Sequence, residues 1–311
     1  MKPIFWKELA DHFGSWRFFV FMIVILLASV STTYTASETI LGNAETTDDI
    51  FVLIFSTSGE GLPTFIWFIA LLGPFLGIIF GFDVINGERT RGTLSRMLSQ
   101  PVYRDSVINA KFLAGLTAVG VILAGIILIS CGLGLFTLGI TPDVGEIMRI
   151  LIFFLLCLLY VGFWLGLGIL CSVFFRQAMV SVLVSIAIWI FFMSFMSMIA
   201  GVVADQVYPV DRYSGEQAVL DHNELNRQIN LISPVHLFEE SSDTILTPEK
   251  HSLDELRQLL SYLKGEMIPG SVSVRQSLIL IWPHIVSLIA LTSICFAASY
   301  IRFMREEIRA T

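Results

Sequence analysis

Residues 83–111 read DVINGERTRGTLSRMLSQPVYRDSVINAK, the longest polar, charge-bearing interruption among the first five apolar runs of the chain. The stretch holds five basic residues (Arg89, Arg91, Arg96, Arg104, Lys111) and three acidic ones (Asp83, Glu88, Asp105). Long apolar runs flank it on both sides. Lysine and arginine concentrate in short cytoplasmic loops of membrane proteins, so this loop is expected to face the cytoplasm.

Working outward, the composition agrees with a membrane chain. Its 311 residues are 55% hydrophobic and only 14% charged. The mean hydropathy is +0.78. Runs near the length of a bilayer crossing recur. Lipid supplies no water for backbone groups, so spans must be helices or a closed barrel. The runs are continuous rather than alternating, which excludes the barrel. The expected fold class is an all-α integral membrane protein with six transmembrane helices.

Residues 1–17 place Phe5, Trp6, Leu9, Phe13 and Trp16 on one helical side and Lys7, Glu8, Asp11 and Ser15 on the other. That pattern predicts an amphipathic helix lying in the membrane interface. A cleaved signal ending at Tyr34-Thr35-Ala36 fits poorly, because the leading segment is long, aromatic and partly acidic. Spans one to five are expected within 18–203, at Phe18–Tyr34, Pro63–Phe82, Phe112–Phe136, Ile147–Phe174 and Ala178–Val203, with the polar loop 83–111 between the second and third. Residues 204–275 form a polar insertion, 276–301 (Gln276–Ile301) the sixth span, and 302–311 a tail.

Twelve lysines and arginines fall in the N-terminal segment, the central loop, Arg176 and the tail, whereas residues 37–62 have none and the 137–149 turn has Arg149. Both termini are therefore expected in the cytoplasm. The insertion carries twelve acids and six bases and no run long enough to cross a bilayer. It predicts a small extracytoplasmic helical domain, with a capping box at Ser252 and Glu255, a leucine face from Leu253 to Leu263, and a weaker helix over Glu216–Ile229.

The sequence contains no GxxxxGK[ST] phosphate loop and no HExxH, GxSxG or CxxC motif. A chain without a phosphate cradle is not expected to hydrolyse ATP, and no enzyme activity is assigned to it. Cys131, Cys157, Cys171 and Cys295 lie in apolar runs without metal-ligand spacing and read as small buried hydrophobes. Glu239 and Glu240 are adjacent, so they do not face one another on a helix, and they read as a solvated acidic turn. Met193, Met196 and Met198 cluster near the end of span five. Thioethers bind Cu(I), but methionine also fills gaps in any core. His284 lies within the outer third of span six, where an ionisable group is a candidate for the pathway. No metal site is assigned.

Between Gly92 and Pro101, Thr93–Ser99 predicts a short helix with Leu94, Met97 and Leu98 on one side and Arg96 on another. Two readings stay open on physics alone: a helix seated in a partner's groove, or a solvated loop whose arginines contact anionic lipid.

Several residues resemble the first cytoplasmic loop of type-2 ABC transporter permeases: Asp83, Gly87-Glu88-Arg89, Gly92-Thr93-Leu94, Leu98-Ser99-Gln100-Pro101-Val102, Arg104 and Lys111. Lys7-Glu8-Leu9 and Arg17-Phe18 are similar to that family's N-terminal elbow helix, and Phe303-Met304-Arg305-Glu306-Glu307-Ile308-Arg309 to its closing motif. The family includes the permeases of copper handling and nitrous-oxide-reductase maturation. The outer insertion is longer than the family pattern.

The resemblance implies the membrane subunit of an ATP-driven exporter in a prokaryotic inner membrane. It implies two separate ABC ATPase subunits, which would carry ATP and Mg; this chain needs no cofactor of its own. A second permease subunit, the same or related, would pair with it in the lipid, and nucleic acid is not an expected partner. The Glu88–Ser99 segment would be the coupling helix, with Glu88, Arg89, Arg91, Gly92, Thr93, Leu94, Met97 and Leu98 meeting the ATPase. Gly162, Gly166 and Gly168 would let span four pack closely. Two other classes stay in view. One is a mechanical or signalling device acting through 204–275. The other is a transporter or channel without an ATPase, which would need ionisable relays that the spans, apart from His284, lack.

Overall fold

The structure is a computed structural model and describes residues 2–42, 50–59, 61–93, 103–210, 215–247 and 273–305. A short helix, α1 (Lys2–Phe13), leads into α2 (Trp16–Gly42); α3 (Leu53–Ser56) and α4 (Phe65–Gly81) follow. A single turn and a half, α5 (Asn86–Thr90), precedes the long helices α6 (Arg104–Leu138) and α7 (Val144–Phe174). The fifth apolar run is broken into α8 (Ala178–Ile190), a π-helical turn (Phe191–Phe195) and α9 (Met196–Val207). Helices α10 (Glu216–Asn230), α11 (Pro234–Leu246) and α12 (Val274–Arg305) complete the chain. Among the described residues no strand occurs beyond one isolated bridge, Gly59 to Leu62.

Six helical stretches are long and apolar enough to cross a membrane: Trp16–Gly42, Phe65–Thr90, Arg104–Leu138, Val144–Phe174, Ala178–Val207 and Val274–Arg305. Each matches one expected apolar run, and the protein is an all-α, multi-pass membrane protein. The ends differ from expectation. α6 begins at Arg104, so Lys111 lies inside the helix rather than in the loop before it. The predicted capping box at Ser252 and Glu255, the leucine face after it, and Leu94, Met97 and Leu98 of the central loop lie outside the described residues.

Helices α4 and α7 are the most enclosed spans. Their contact is a glycine seam. A Cβ on Gly77 would sit 2.6 Å from the carbonyl oxygen of Val161, and one on Gly81 2.7 Å from that of Leu165. A Cβ on Gly168 would sit 3.1 Å from the Cα of Gly81. Only hydrogen fits there, and the two backbones touch, as at small-residue seams between membrane helices. Of the glycines expected to pack span four, Gly168 is in this seam. Gly162 approaches Leu116 instead, and Gly166 meets only ordinary contacts, with Cys295 at 3.7 Å.

Proline and glutamate fix the rest of the frame. Pro74 has no N–H, so the carbonyl of Ala70 one turn earlier loses its helical partner. The Tyr160 hydroxyl of α7 donates to that carbonyl at 2.7 Å. The same ring stacks on Phe238 of α11 at 4.4 Å. At the start of α7 the Asp143 N–H donates to Glu146 Oε2 at 2.8 Å, and the Asp143 carboxylate accepts from Gly145 N–H at 3.3 Å. The other Glu146 oxygen accepts from the Phe51 N–H at 2.8 Å, tying α3 to the same helix start. Arg149, expected in the connecting turn, is instead buried in α7. It donates to the Ile245 carbonyl at 2.9 Å and to the Ser277 hydroxyl at 3.3 Å, satisfying an orphan carbonyl at the end of α11.

The amphipathic helix α1 packs on α6, where Leu9 joins Ala114 and Ala118. Phe5, Leu9 and Phe13 of the expected apolar side pack here, and Lys7 and Asp11 of the polar side are exposed; two residues depart from the pattern. Glu8, placed on the polar side by spacing, is buried, and Trp6, placed on the apolar side, is exposed. A charged partner within the protein reverses the preference.

Gly77→Ala is expected to force the seam apart and lower stability by about 1–3 kcal/mol. Gly166→Ala, with room for the methyl, is expected to change it little. Tyr160→Phe strips the Ala70 carbonyl of its partner and is expected to lower stability by about 1 kcal/mol. Thermal unfolding of the purified protein in detergent measures all three.

Candidate functional site

The chain turns out of α4 through Asp83, Val84 and Ile85 and rewinds as α5. The Gly87 N–H closes this turn on the Asp83 carbonyl at 2.8 Å. One hydroxyl pins it to the end of α7. Ser172 Oγ accepts from the backbone N–H of Ile85 at 3.0 Å and of Asn86 at 3.2 Å, and donates to Asn86 Oδ1 at 2.8 Å. The Asn86 amide in turn donates to the Phe175 carbonyl at 3.2 Å. Both side chains are fully buried, so these bonds replace the water that the turn would otherwise need.

Beyond this anchor lies an ion network, buried at Lys111, Glu8 and Glu88 and open to solvent at Lys7. Lys111 is 2% exposed, two turns into α6. Its ammonium lies 2.9 Å from Glu8 of α1 and 3.5 Å from Glu88 of α5. Lys7 adds a second cation, 3.2 Å from Glu8 and 3.6 Å from Glu88. The Thr93 hydroxyl also donates to the Glu88 carboxylate. Two carboxylates and two ammonium groups therefore join three elements remote in sequence. Burial opposes the Lys7 charge, but Glu8, Asp11 and Glu88 outweigh it and hold its pKa above the ordinary lysine value. A separate pair, Arg17 to Asp83 at 2.6 Å, fastens the start of α2 to the end of α4. His12 is packed edge-on against Phe80 with ring centres 5.0 Å apart, and burial pushes its pKa down.

These groups line a cleft of about 480 Å³. Arg91, which lines the cleft, is exposed, as are Gly92 and Thr93 after it, while Glu88 is buried. Arg91 folds back, its Nε donating to the Gly87 carbonyl at 3.1 Å. Gly92 has φ +68°, a left-handed conformation that stops α5 and redirects the chain. Arg89 is half-buried and has partners of its own. Of the expected coupling residues, Glu88, Arg89, Arg91, Gly92 and Thr93 thus share one short stretch, and Leu94, Met97 and Leu98 fall outside the described residues.

Sequence reasoning held Glu8 and Lys111 only as parts of the family resemblance and missed their pairing, and it missed Asn86 and Ser172 as members of this site. Ser172 stands alone in an apolar run, and its partner is 86 residues away. Opposite charges at Glu8 and Lys111 were the one visible signal, and nothing in the chain marks which acid a distant lysine will meet.

The candidate pathway residues lie toward the other end. Met193 is half-buried in the π-helical turn, Met196 is buried, and Met198 is 60% exposed. His284 lies in α12 with its side chain 12% exposed and its Nε2 3.5 Å from Glu240 Oε1. None of the three methionines lines the cavity that His284 borders. Among the described residues no group of three or more His, Cys, Asp or Glu is placed to hold a metal ion.

A family model described as ABC-2 family transporter protein matches residues 2–308. A search of curated proteins finds no match. With six crossing helices, and with the polar turn that the sequence resemblance singled out, the match over nearly the whole chain fixes its place: the chain belongs to the ABC-2 family of transporter proteins, as a membrane-embedded permease subunit of an ABC transporter.

Proposed function

We propose that this permease is the membrane half of an exporter driven by two separate ATPase subunits, with the Glu88–Ser99 segment as the part they push. The observation that carries this reading is the ion network around Glu88. A rigid body pressing on the stretch after Glu88 acts on α1 through Glu8 and Lys7, on α6 through Lys111, and on α7 through Asn86 and Ser172. Packed interfaces of this kind shift between discrete arrangements rather than deform smoothly, so a small push is passed on. In this reading the termini and the central loop are cytoplasmic, and the basic balance of that side supports it. The membrane is the prokaryotic inner membrane, and a second permease subunit completes the pathway. Met193, Met196, Met198 and His284 border that pathway.

One observation favours a second reading, in which the ATPases do mechanical work on the far end. Helix α11 is bolted to α7 by the Phe238–Tyr160 stack and by Arg149, so movement of the core spans reaches the insertion directly. Vesicles holding only the purified complex separate the two: an exporter moves a solute when ATP is added, and a mechanical transmitter does not.

Purification in mild detergent is expected to bring down an ATP-hydrolysing subunit with the chain. Spin labels at Leu41 and Phe136, exposed at the far ends of α2 and α6, report movement without knowledge of the substrate. Trapping with ATP and vanadate is expected to change their separation in the native complex. Glu88→Ala with Arg91→Ala is expected to abolish that change while ATP hydrolysis continues. An unaltered change in a fully assembled complex refutes the coupling assignment.

Lys111→Met leaves Glu8 and Glu88 facing each other with less compensation, and is expected to lower the unfolding temperature. Glu8→Gln in the same chain is expected to restore part of the loss, because one of the two facing charges is gone.

A further inference from the structure

A second cavity, about 590 Å³, lies between α10, α11 and α12. Helix α11 is two-faced. Val235, Phe238, Ser242 and Ile245 are buried against the spans, while His236, Glu239, Glu240, Asp243 and Thr244 line the cavity along the opposite stripe. The expectation of a solvated acidic turn at Glu239-Glu240 therefore fails: the two sit on a helix, and each has an imidazole beside it. Across the cavity α10 presents Asn223, Asn226 and Asn230 at helical spacing, and α12 presents Leu280 and His284.

The charges around this cavity are unbalanced. Among the described lining residues Arg227 is the one fixed cation, and it is committed. Its Nε and a terminal nitrogen donate to Glu240 Oε1 at 3.0 and 2.7 Å, and His284 approaches the same oxygen. Burial pushes the Glu240 carboxyl up, but His284 and Arg227 outweigh it and hold it at about 2. Glu240 is therefore a charged, compensated group.

Glu239 is different. Its Oε2 lies 3.2 Å from Nδ1 of His236, whose Nε2 is 2.8 Å from the Ser197 hydroxyl. The imidazole stands as a hydrogen-bond donor to the carboxylate, and among the described residues no lysine or arginine is paired with Glu239. The surrounding insertion has twelve acids against six bases, which draws cations toward its surface.

We infer that this cavity binds a small ligand bearing an ammonium or guanidinium group, with Glu239 as its counter-charge and the α10 asparagines as hydrogen-bond partners. A donor-rich cation fits a wall of carboxylate and amide oxygens whose own cation is already taken. Binding here does not depend on ATP or on the direction of transport, so it and the exporter reading can fail separately.

Spermidine serves as the probe, titrated calorimetrically into the purified full-length protein in detergent. Saturable binding at one site is expected. Glu239→Gln is expected to weaken it roughly tenfold, the size of one lost charge-assisted hydrogen bond. Asp205→Asn, an exposed acid on α9 outside the cavity, is expected to leave it unchanged. Asn223→Leu, on the exposed face of α10, gives a second variant should Glu239→Gln unfold the protein, and is expected to weaken binding as well. No saturable binding into the millimolar range overturns the inference. So does equal weakening by Asp205→Asn, which means diffuse attraction to an acidic surface, or preferential binding of glutarate over spermidine.

Discussion

The seam between α4 and α7 is the contact on which the other arrangements depend. Where Gly77, Gly81 and Gly168 let two backbones touch, the residues on either side come within bonding range of the opposite helix. Tyr160 then reaches the carbonyl that Pro74 leaves bare, and Ser172 reaches the backbone where α4 gives way to α5. Association in lipid has little hydrophobic drive, because lipid tails are as apolar as the side chains, so close packing and internal hydrogen bonds must hold the helices together. One seam supplies both. Its chemistry also explains why polar side chains recur inside these spans. Ser29 and Ser37 return their hydroxyls to carbonyls of their own helix, and Thr137 bridges from α6 to Ser37 of α2 at 2.9 Å.

The second organising feature is the ion network at the end carrying α1. A buried ammonium is costly unless paired, and a buried pair is at best modestly stabilising. Such a network therefore holds register better than it adds stability. Lys111 meets one acid from α1 and one from α5, so these elements are held in a fixed relation to α6 that apolar packing alone would leave free to slide. Arg17 and Asp83 do the same for α2 and α4.

Much of this was legible in the sequence, and the limits have physical causes. The six spans could be read because lipid demands long unbroken apolar runs. The family was readable because Gly87-Glu88-Arg89 and Gly92-Thr93 occupy a turn whose shape depends on them: a carboxylate turned inward and a glycine at positive φ. The helix ends were not readable, because Lys111 and Arg149 look like loop charges until their partners from other helices are in place. The seam was half seen: span four drew attention, while the decisive glycines on α4 were passed over, since spacing alone does not say which small residues face each other. At Glu239-Glu240 the adjacency of two acids reads as a solvated turn, and the buried face of α11 on the other side, with Val235, Phe238 and Ile245, emerges only once the helix is packed.

Ser233 has two duties. As the residue before α11 it accepts from the Val235 N–H at 3.2 Å, and its own hydroxyl donates to the Phe192 carbonyl in the π-helical turn at 3.0 Å. The widened turn breaks the regular ladder of span five, and the cap of another helix takes up one of its oxygens. One hydroxyl thus serves both helices, accepting for α11 and donating to span five, and α11 cannot lift from the bundle without baring the Phe192 carbonyl.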